Sequence, residues 1–134
     1  MKIRGIARST LEFVLEVSKS CHPNEFAGLM QARDDIISEI MILPGTESGE
    51  TSAIMHIYMM PSVRSIGSVH SHPSPNTTPS NADLALFSKT GNYHIIVGAP
   101  YNENSWTCYN EKGEKIKLEV LDVDLGNDDD WELV

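Results

Sequence analysis

The chain has 134 residues, which is enough for one domain and too few for two conventional hydrophobic cores. Its formal net charge of −9 argues against nucleic acid as a partner, because phosphate contacts require clustered Lys and Arg. No apolar run approaches the ~18 residues needed to span a bilayer, and the charged N-terminus lacks the pattern of a signal peptide. We therefore expect a cytoplasmic protein with no membrane partner.

A helix is the first clear element in chain order. Ser9 and Glu12 have the spacing of a capping box, and apolar residues follow at helical intervals until Pro23, which predicts a helix ending near Cys21. Residues 44–52 are polar with two glycines and predict a loop. Runs rich in apolar and β-branched residues predict two strands before this loop and two after it. The four strands are Phe26–Gln31, Ile36–Leu43, Ala53–Met59 and Arg64–His72.

The second half of the chain predicts another helix, Ser80–Ser88, with Ser80 at its N-cap. Three further strands are predicted at Tyr93–Gly98, Trp106–Tyr109 and Lys115–Leu121. Because strands outnumber helices and no repeat is present, we expect an α+β fold with a mixed, largely antiparallel sheet flanked by helices. We assign residues 1–121 to this domain and residues 122–134, which are acidic and lack Lys and Arg, to a flexible tail.

Two histidines lie two residues apart at the end of a predicted strand. Side chains at that spacing point to the same face of a strand, and Pro73 ends it, so His70 and His72 present both rings at its exposed end. Asp83 lies three residues after Ser80, at the start of the predicted helix, where its carboxylate can reach the two imidazoles. Two imidazoles and one carboxylate are a ligand set of catalytic zinc, with the fourth position left for water.

Each of these residues also has a simpler structural interpretation. Two histidines on a strand are often ordinary surface residues, and Asp83 has the spacing to close a capping box with Ser80. The joint pattern favours the metal site, because chance seldom combines all of these features. Zinc hydrolysis also needs a carboxylate that moves protons, and Glu25, which precedes an apolar strand, is the candidate. Taken alone, Glu25 would be interpreted as a solvated turn residue.

The pattern resembles the signature of the JAMM, or MPN+ (Jab1/MPN), metalloproteases, which is a distal Glu, then H-[S/T]-H-P, then a Ser and an Asp at fixed spacing. Every fixed position is matched, by Glu25, His70, Ser71, His72, Pro73, Ser80 and Asp83. The segments HPNEFAGLM, HSHPSPNTTPSNADL and YHIIVGAPYNENSWTCYN are also similar to compact archaeal and bacterial members, and we judge that the resemblance covers residues 1–121. It implies an MPN fold of the cytidine-deaminase-like type.

The resemblance also implies a role for each site residue. His70, His72 and Asp83 would hold one Zn²⁺ per chain. Glu25 would be the general acid and base, and Ser80 would stabilise the oxyanion of the tetrahedral intermediate. The implied activity is hydrolysis of the isopeptide or peptide bond after the C-terminal glycine of a ubiquitin-like modifier protein. We expect the loops at residues 44–52 and 73–79 to border the groove for that substrate.

Several other polar residues near the motif are expected to be structural rather than functional. Ser71 points to the other face of its strand, and the cysteines have no metal-site or disulfide-framework spacing and are expected to be reduced. The full set is Ser71, His22, His56, His94, Cys21 and Cys108.

Alternative functions remain open. Processing of adducts of a ubiquitin-fold sulfur-carrier protein would share the same catalytic step. A non-catalytic MPN scaffold is the main binding-module alternative, although such members typically lack a ligand that this chain keeps. A zinc nucleoside deaminase would need H-x-E and P-C-x-x-C, which are absent, and a DNA-associated relative would need a different charge. The oligomeric state is left open.

Overall fold

The structure, a computed structural model, describes residues 2–42 and 65–123. The loop predicted at residues 44–52, the strand predicted at Ala53–Met59 and residues 124–134 of the tail lie outside the described residues. Within the described ranges the chain forms two helices and eight strands. In chain order they are β1 (Gly5–Ala7), α1 (Arg8–Cys21), β2 (Ala27–Arg33), β3 (Ile36–Ile42), β4 (Gly67–His72), α2 (Asn81–Thr90), β5 (Tyr93–Gly98), β6 (Trp106–Tyr109), β7 (Lys115–Ile116) and β8 (Val120–Leu121).

The strands form one sheet in the order β7-β6-β5-β4-β2-β3-β1-β8. Four neighbouring pairs run antiparallel and three run parallel, the latter being β1 with β3, β1 with β8, and β4 with β5. The prediction of a mixed, largely antiparallel sheet flanked by helices is confirmed. Neither helix in the described part of the chain has the length and apolar character needed to cross a bilayer.

The two edges of the sheet approach each other, because only residues 117–119 separate β7 from β8. Eight flat strands ~4.8 Å apart would span about 34 Å. The four Cα–Cα steps from the end of β7 to the start of β8 reach only about 14 Å when extended. The sheet must therefore curl to bring its two edges together. The single strand predicted at Lys115–Leu121 is therefore wrong. The chain pairs first with β6 and then crosses to β1, and the apolar alternation continues across the break because Leu118 remains buried.

The start of the first helix also differs from the prediction. It begins at Arg8, and Ala7 is the N-cap with extended dihedral angles and no side-chain hydrogen bond. Because β1 runs directly into α1, the last strand residue already supplies the backbone conformation that an N-cap requires. Ser9 then falls inside the first turn and caps nothing. The end at Cys21 agrees with the prediction, and strands β2 to β6 agree with theirs to within three residues at each end.

Each helix covers one face of the sheet. Val14 of α1 belongs to the main hydrophobic cluster with Val69 and Ile95, whereas Phe87 of α2 packs in a second cluster with Ile96. Successive side chains of a strand point to opposite faces, so the neighbours Ile95 and Ile96 mark the two faces of β5. This division decides which polar side chains meet α2.

Candidate active site

Strand β4 places two histidines on the face that α2 covers. His70 pairs with Ile96 in the parallel ladder between β4 and β5, and paired residues share a face, so the His70 ring lies on the Phe87 side of the sheet. His72 is the last residue of the strand and lies on the same face. The two Nε2 atoms are 3.2 Å apart, and the His70 side chain is 6% exposed and that of His72 13%.

Helix α2 brings a buried carboxylate to these rings. The hydroxyl of Ser80, its N-cap, accepts a hydrogen bond from the Asp83 N–H at 3.1 Å, and the Ser80 N–H donates to Asp83 Oδ2 at 2.9 Å. Asp83 is completely buried. Its Oδ1 is 3.1 Å from Nε2 of His70, and its Oδ2 is 3.4 Å from Nε2 of His72. The predicted N-cap at Ser80 is confirmed, and the cap does not prevent the Asp83 carboxylate from lying beside both histidines.

The three side chains fit a divalent metal ion. Their ligand atoms all lie within 4.8 Å of one another. A tetrahedral ion with bonds of about 2.0–2.1 Å separates its ligand atoms by about 3.4 Å, which is close to the contacts given above. A fully buried carboxylate also needs a cationic partner, which Zn²⁺ would supply. The donor set of two imidazole nitrogens and one carboxylate is one that zinc accepts.

A backbone carbonyl sets the orientation of His72. Its Nδ1 donates to the carbonyl oxygen of Asn76 at 2.9 Å, which directs Nε2 at the cluster. Burial lowers the pKa of His72, but the hydrogen bonds to Asp83 and Asn76 and the charges of Asp83 and Glu25 outweigh burial and raise it to about 9. In the metal-free protein a proton therefore occupies the nitrogen that a metal would bind.

Glu25 reaches the same cluster through the pairing of β2 with β4. Ala27 pairs with His70 in this antiparallel ladder, so its extension by two residues places Glu25 opposite His72 on the same face. Burial raises the pKa of the Glu25 carboxyl, the charges of the two histidines lower it, and that of Asp83 raises it again. Its Oε1 is buried and has no hydrogen-bond partner within the described residues. A carboxyl group beside the cluster with a raised pKa has the chemistry to exchange a proton.

Two of the polar residues expected to be structural connect Glu25 to its surroundings. The hydroxyl of Ser71 is buried on the other face of β4 and accepts from the Phe26 N–H at 2.8 Å. His22 is exposed, and its Nδ1 bonds to the Tyr101 hydroxyl at 2.6 Å instead of joining the ligand cluster. Both side chains form hydrogen bonds within the protein, which agrees with the structural role predicted for them.

His94 is a core residue with satisfied hydrogen bonds, as predicted. Its Nδ1 accepts from the Ser68 N–H at 3.2 Å, its Nε2 donates to the Gly91 carbonyl at 2.8 Å, and its ring stacks on Phe87. Burial lowers its pKa to about 4, so the ring is neutral at physiological pH. His56 lies outside the described residues. The remaining pair, Cys21 and Cys108, are free thiols.

Sequence reasoning missed two contributors to the site, Asn76 and Tyr101. Asn76 contributes a backbone carbonyl, and because every residue has one, no side-chain pattern marks it. Tyr101 is almost fully buried, and its hydroxyl bonds to His22 and donates to the His72 carbonyl at 3.4 Å. Tyr101 is far from the motif in sequence, so the sequence does not indicate these contacts. The parallel pairing of β4 with β5 brings Tyr101 near the motif.

The chain is similar in sequence to known proteins. Residues 8–109 match the model of the prokaryotic homologues of the JAB domain. A protein of Haloferax volcanii described as a probable metalloprotease is 36% identical, over 94% of this chain and 84% of that protein.

Solved structures give the same result. A structure described as a JAMM metalloprotease-like zinc site in the proteasome and signalosome is 42% identical, with a TM-score of 0.73 over 90% of this chain and 99% of that one. A Jab1/MPN domain protein from Archaeoglobus fulgidus has the same identity and TM-score, over 90% of this chain and 100% of its own. A protein from Desulfitobacterium hafniense is 16% identical with a TM-score of 0.58, over 90% of this chain and 94% of that one, and shares the fold.

Proposed function

The chain belongs to the prokaryotic JAB domain family, related to the JAMM metalloproteases, and on that basis we propose that it is a zinc-dependent peptidase for ubiquitin-like proteins. Its scissile bond would follow the C-terminal glycine of such a protein, joined to a lysine side chain or to an α-amino group. The observation that carries the proposal is the meeting of His70, His72 and Asp83 beside Glu25, at the exposed end of β4.

In this proposal His70, His72 and Asp83 hold one zinc ion per chain. When bound, Zn²⁺ supplies the Lewis acidity that polarises a carbonyl and lowers the pKa of an attacking water. The protein keeps the donor atoms oriented, because the Asn76 carbonyl fixes the His72 ring and the α2 cap fixes Asp83. These supports mean that little reorganisation is needed when the metal binds.

Glu25 serves as the proton carrier of the reaction. Its carboxylate accepts a proton from the attacking water and then passes that proton to the leaving amine. Burial raises the pKa of Glu25, which brings it nearer to neutral pH and suits both halves of the transfer. This role requires a carboxylate on the ligand face, and the β2–β4 register supports that placement.

Ser80 serves two purposes with different parts of one hydroxyl group. In the cap its oxygen accepts the Asp83 N–H through a lone pair. We propose that, when substrate binds, the hydroxyl hydrogen turns to the oxyanion of a tetrahedral intermediate, where charge develops. Ser80 is exposed at the start of α2, so a substrate carbonyl can approach it. Capping and oxyanion stabilisation are therefore compatible.

The loop between His72 and Ser80 supports a substrate with an extended, narrow tail. It is tied to β6 by the Thr77–Thr107 hydroxyl contact at 2.8 Å and by the Tyr109 hydroxyl, which donates to the Thr77 carbonyl at 2.6 Å. A fixed loop beside the ligands favours terminal glycines, which fit where larger residues would clash. The net charge of −9 disfavours nucleic acid as a competing substrate.

The substrate class is tested with zinc-loaded protein and three matched substrates. The first is a ubiquitin-fold protein joined through its C-terminal glycine to a lysine ε-amine, and the second carries cysteine α-linked to the same glycine. The third repeats the first with the last two glycines replaced by leucine. We expect cleavage of the first and not of the third. Cleavage of the second alone would favour the sulfur-carrier alternative, and cleavage of none, or of all equally, would contradict the proposal.

We also propose that residues 1–121 form the catalytic unit and that the acidic tail, 122–134, is dispensable. The family match over residues 8–109 supports this division. Truncation after Asp122 should leave kcat and KM for the cleaved substrate unchanged. A clear rise in KM would instead assign the tail to substrate docking.

A further inference from the structure

Glu25 lies on a short connecting segment, residues 22–26, which belongs to neither α1 nor β2. A general base must come within about 3 Å of the proton that it abstracts, and a loop does not by itself provide that precision. The contacts at the two ends of this segment therefore decide where the carboxylate lies.

One end of the segment is held by Ser71. Its hydroxyl accepts from the Phe26 N–H at 2.8 Å, and its own N–H donates to the Phe26 carbonyl at 2.9 Å. Ser71 is fully buried and lies between the two histidines of the ligand cluster. Phe26 is the residue directly after Glu25, so these two bonds tie the base to the strand that carries the histidines.

The other end is held by Tyr101. Its phenol oxygen is 2.6 Å from Nδ1 of His22, the first residue of the segment, and its hydroxyl donates to the His72 carbonyl at 3.4 Å. Both bonds form at once when His22 donates to the phenol oxygen.

We propose that Ser71 and Tyr101 are positioning residues that clamp residues 22–26 to the end of β4 and thereby set the position of the Glu25 carboxylate over the ligand cluster. The inference rests on the proposed function, because it assigns Glu25 the proton-transfer role. The Ser71 hydroxyl joins β4, to which it belongs, to the segment, and the Tyr101 hydroxyl contacts both the segment and the end of β4.

The activity test uses variants that remove one hydroxyl each, Ser71→Ala and Tyr101→Phe. A displacement of about 1 Å can cost on the order of a hundredfold in rate, so we expect kcat to fall by about tenfold or more while KM and zinc content change little. The matched controls are Ser68→Ala, whose hydroxyl contacts His94, and Tyr93→Phe, whose hydroxyl accepts from the Ile3 N–H. Ser71→Thr keeps a hydroxyl and should restore most of the activity.

A double-mutant cycle separates positioning from a general loss of structure. If Ser71 and Tyr101 act through Glu25, neither substitution should lower the residual rate of a Glu25→Gln protein any further. An equal loss in both backgrounds would overturn the proposal. Unchanged kcat in the single variants of an active enzyme would overturn it as well.

A second readout does not depend on activity and distinguishes failure of the clamp from failure of the proposed function. In the zinc-loaded full chain, backbone order parameters of residues 24–26 should fall from about 0.85 to below about 0.7 in the two clamp variants. Exchange of the Phe26 amide hydrogen should become faster in Ser71→Ala, and neither quantity should change in the controls. Rigid segments with slow Phe26 exchange in both clamp variants would overturn the clamp even if no substrate were cleaved.

Discussion

Asp83 and Ser80 exchange two hydrogen bonds, so the residue that faces both histidines of the cluster also completes the N-terminal cap of α2. The partial positive charge at the start of a helix favours a carboxylate there. The cap thus orients the carboxylate before any metal binds. It also places the Ser80 hydroxyl next to the cluster.

The first prediction concerns Ser80→Ala. Loss of the cap should lower the free energy of unfolding by about 1 kcal/mol. Loss of an oxyanion donor should lower kcat by on the order of 10²- to 10³-fold. Zinc content should stay at the wild-type level, because His70, His72 and Asp83 are intact. Ser80→Thr keeps both the cap and the hydroxyl and is the control, and wild-type kcat in Ser80→Ala would exclude the oxyanion role.

The second prediction concerns proton release when zinc binds. The pKa of His72 is raised to about 9, so below that pH the metal must displace its proton. Because zinc competes with this proton, zinc affinity should fall by about tenfold for each unit by which the pH is lowered below 9. Calorimetry at pH 7.5 in buffers of different ionisation enthalpy should show about one proton released. His94→Gln should release the same number, and zero release would contradict the prediction.

The same pKa also affects the stability of the metal-free protein. Because the folded value lies above the ordinary value of 6.5, protonated His72 stabilises the fold fully below pH 6.5, and this contribution is lost as the pH rises through 9. Urea unfolding of the zinc-free protein should show a decline over this window. Saturating zinc should remove this dependence, because the bound nitrogen no longer titrates.

The third prediction concerns His94 and acid stability. Its pKa is lowered from 6.5 to about 4, because burial disfavours the charged ring and the charge of His70 adds to this, outweighing the hydrogen bond to the Gly91 carbonyl. The unfolded chain binds the proton more readily, so stability should fall by about 3 kcal/mol as the pH drops from 6.5 to 4. His94→Gln does not titrate and should show a shallower decline. Identical slopes for the two proteins would rule out this role for His94.

The fourth prediction concerns the turn between β2 and β3. Asp34 and Asp35 both have positive φ, of 55° and 66°, in a two-residue hairpin loop that matches a type I′ turn. Glycine adopts this conformation without a Cβ clash, so Asp35→Gly should raise the free energy of unfolding by about 0.5–1 kcal/mol. Asp35→Ala, measured by the same urea titration, should lower it. A destabilised glycine variant would show that the Asp35 side chain contributes more than the turn conformation.

Local signals in the sequence predicted much of the site. Ser80 marks a helix start, Pro73 ends a strand, and alternation places His70 and His72 on one face, and each of these effects acts within a few residues. Glu25 is different, because its place beside His72 depends on the register between β2 and β4, which are distant in sequence. Without the family resemblance it would be one acidic turn residue among others.

The remaining differences have the same physical origin. The predicted last strand breaks after Ile116 because β6 and β1, the neighbouring strands near the two edges of the curled sheet, each pair with one part of it. The alternation of apolar and charged residues would be the same in a continuous strand, so it does not indicate the break. Ser9 was predicted as part of a capping box at the start of α1, but the N-cap is Ala7, the last residue of β1. The bonds of Tyr101 to His22 and His72 join segments far apart in sequence. Long-range pairing decided each of these features, and short-range patterns do not report it.

The most direct test of the account compares the wild-type protein with Glu25→Gln, using zinc analysis and cleavage of the lysine-linked ubiquitin-fold substrate. The substitution preserves size and removes the proton-accepting carboxylate while leaving the three ligand side chains intact. The account predicts equal zinc content in both proteins and a fall in kcat on the order of 10²- to 10⁴-fold in the variant. Equal cleavage rates with equal zinc would contradict it.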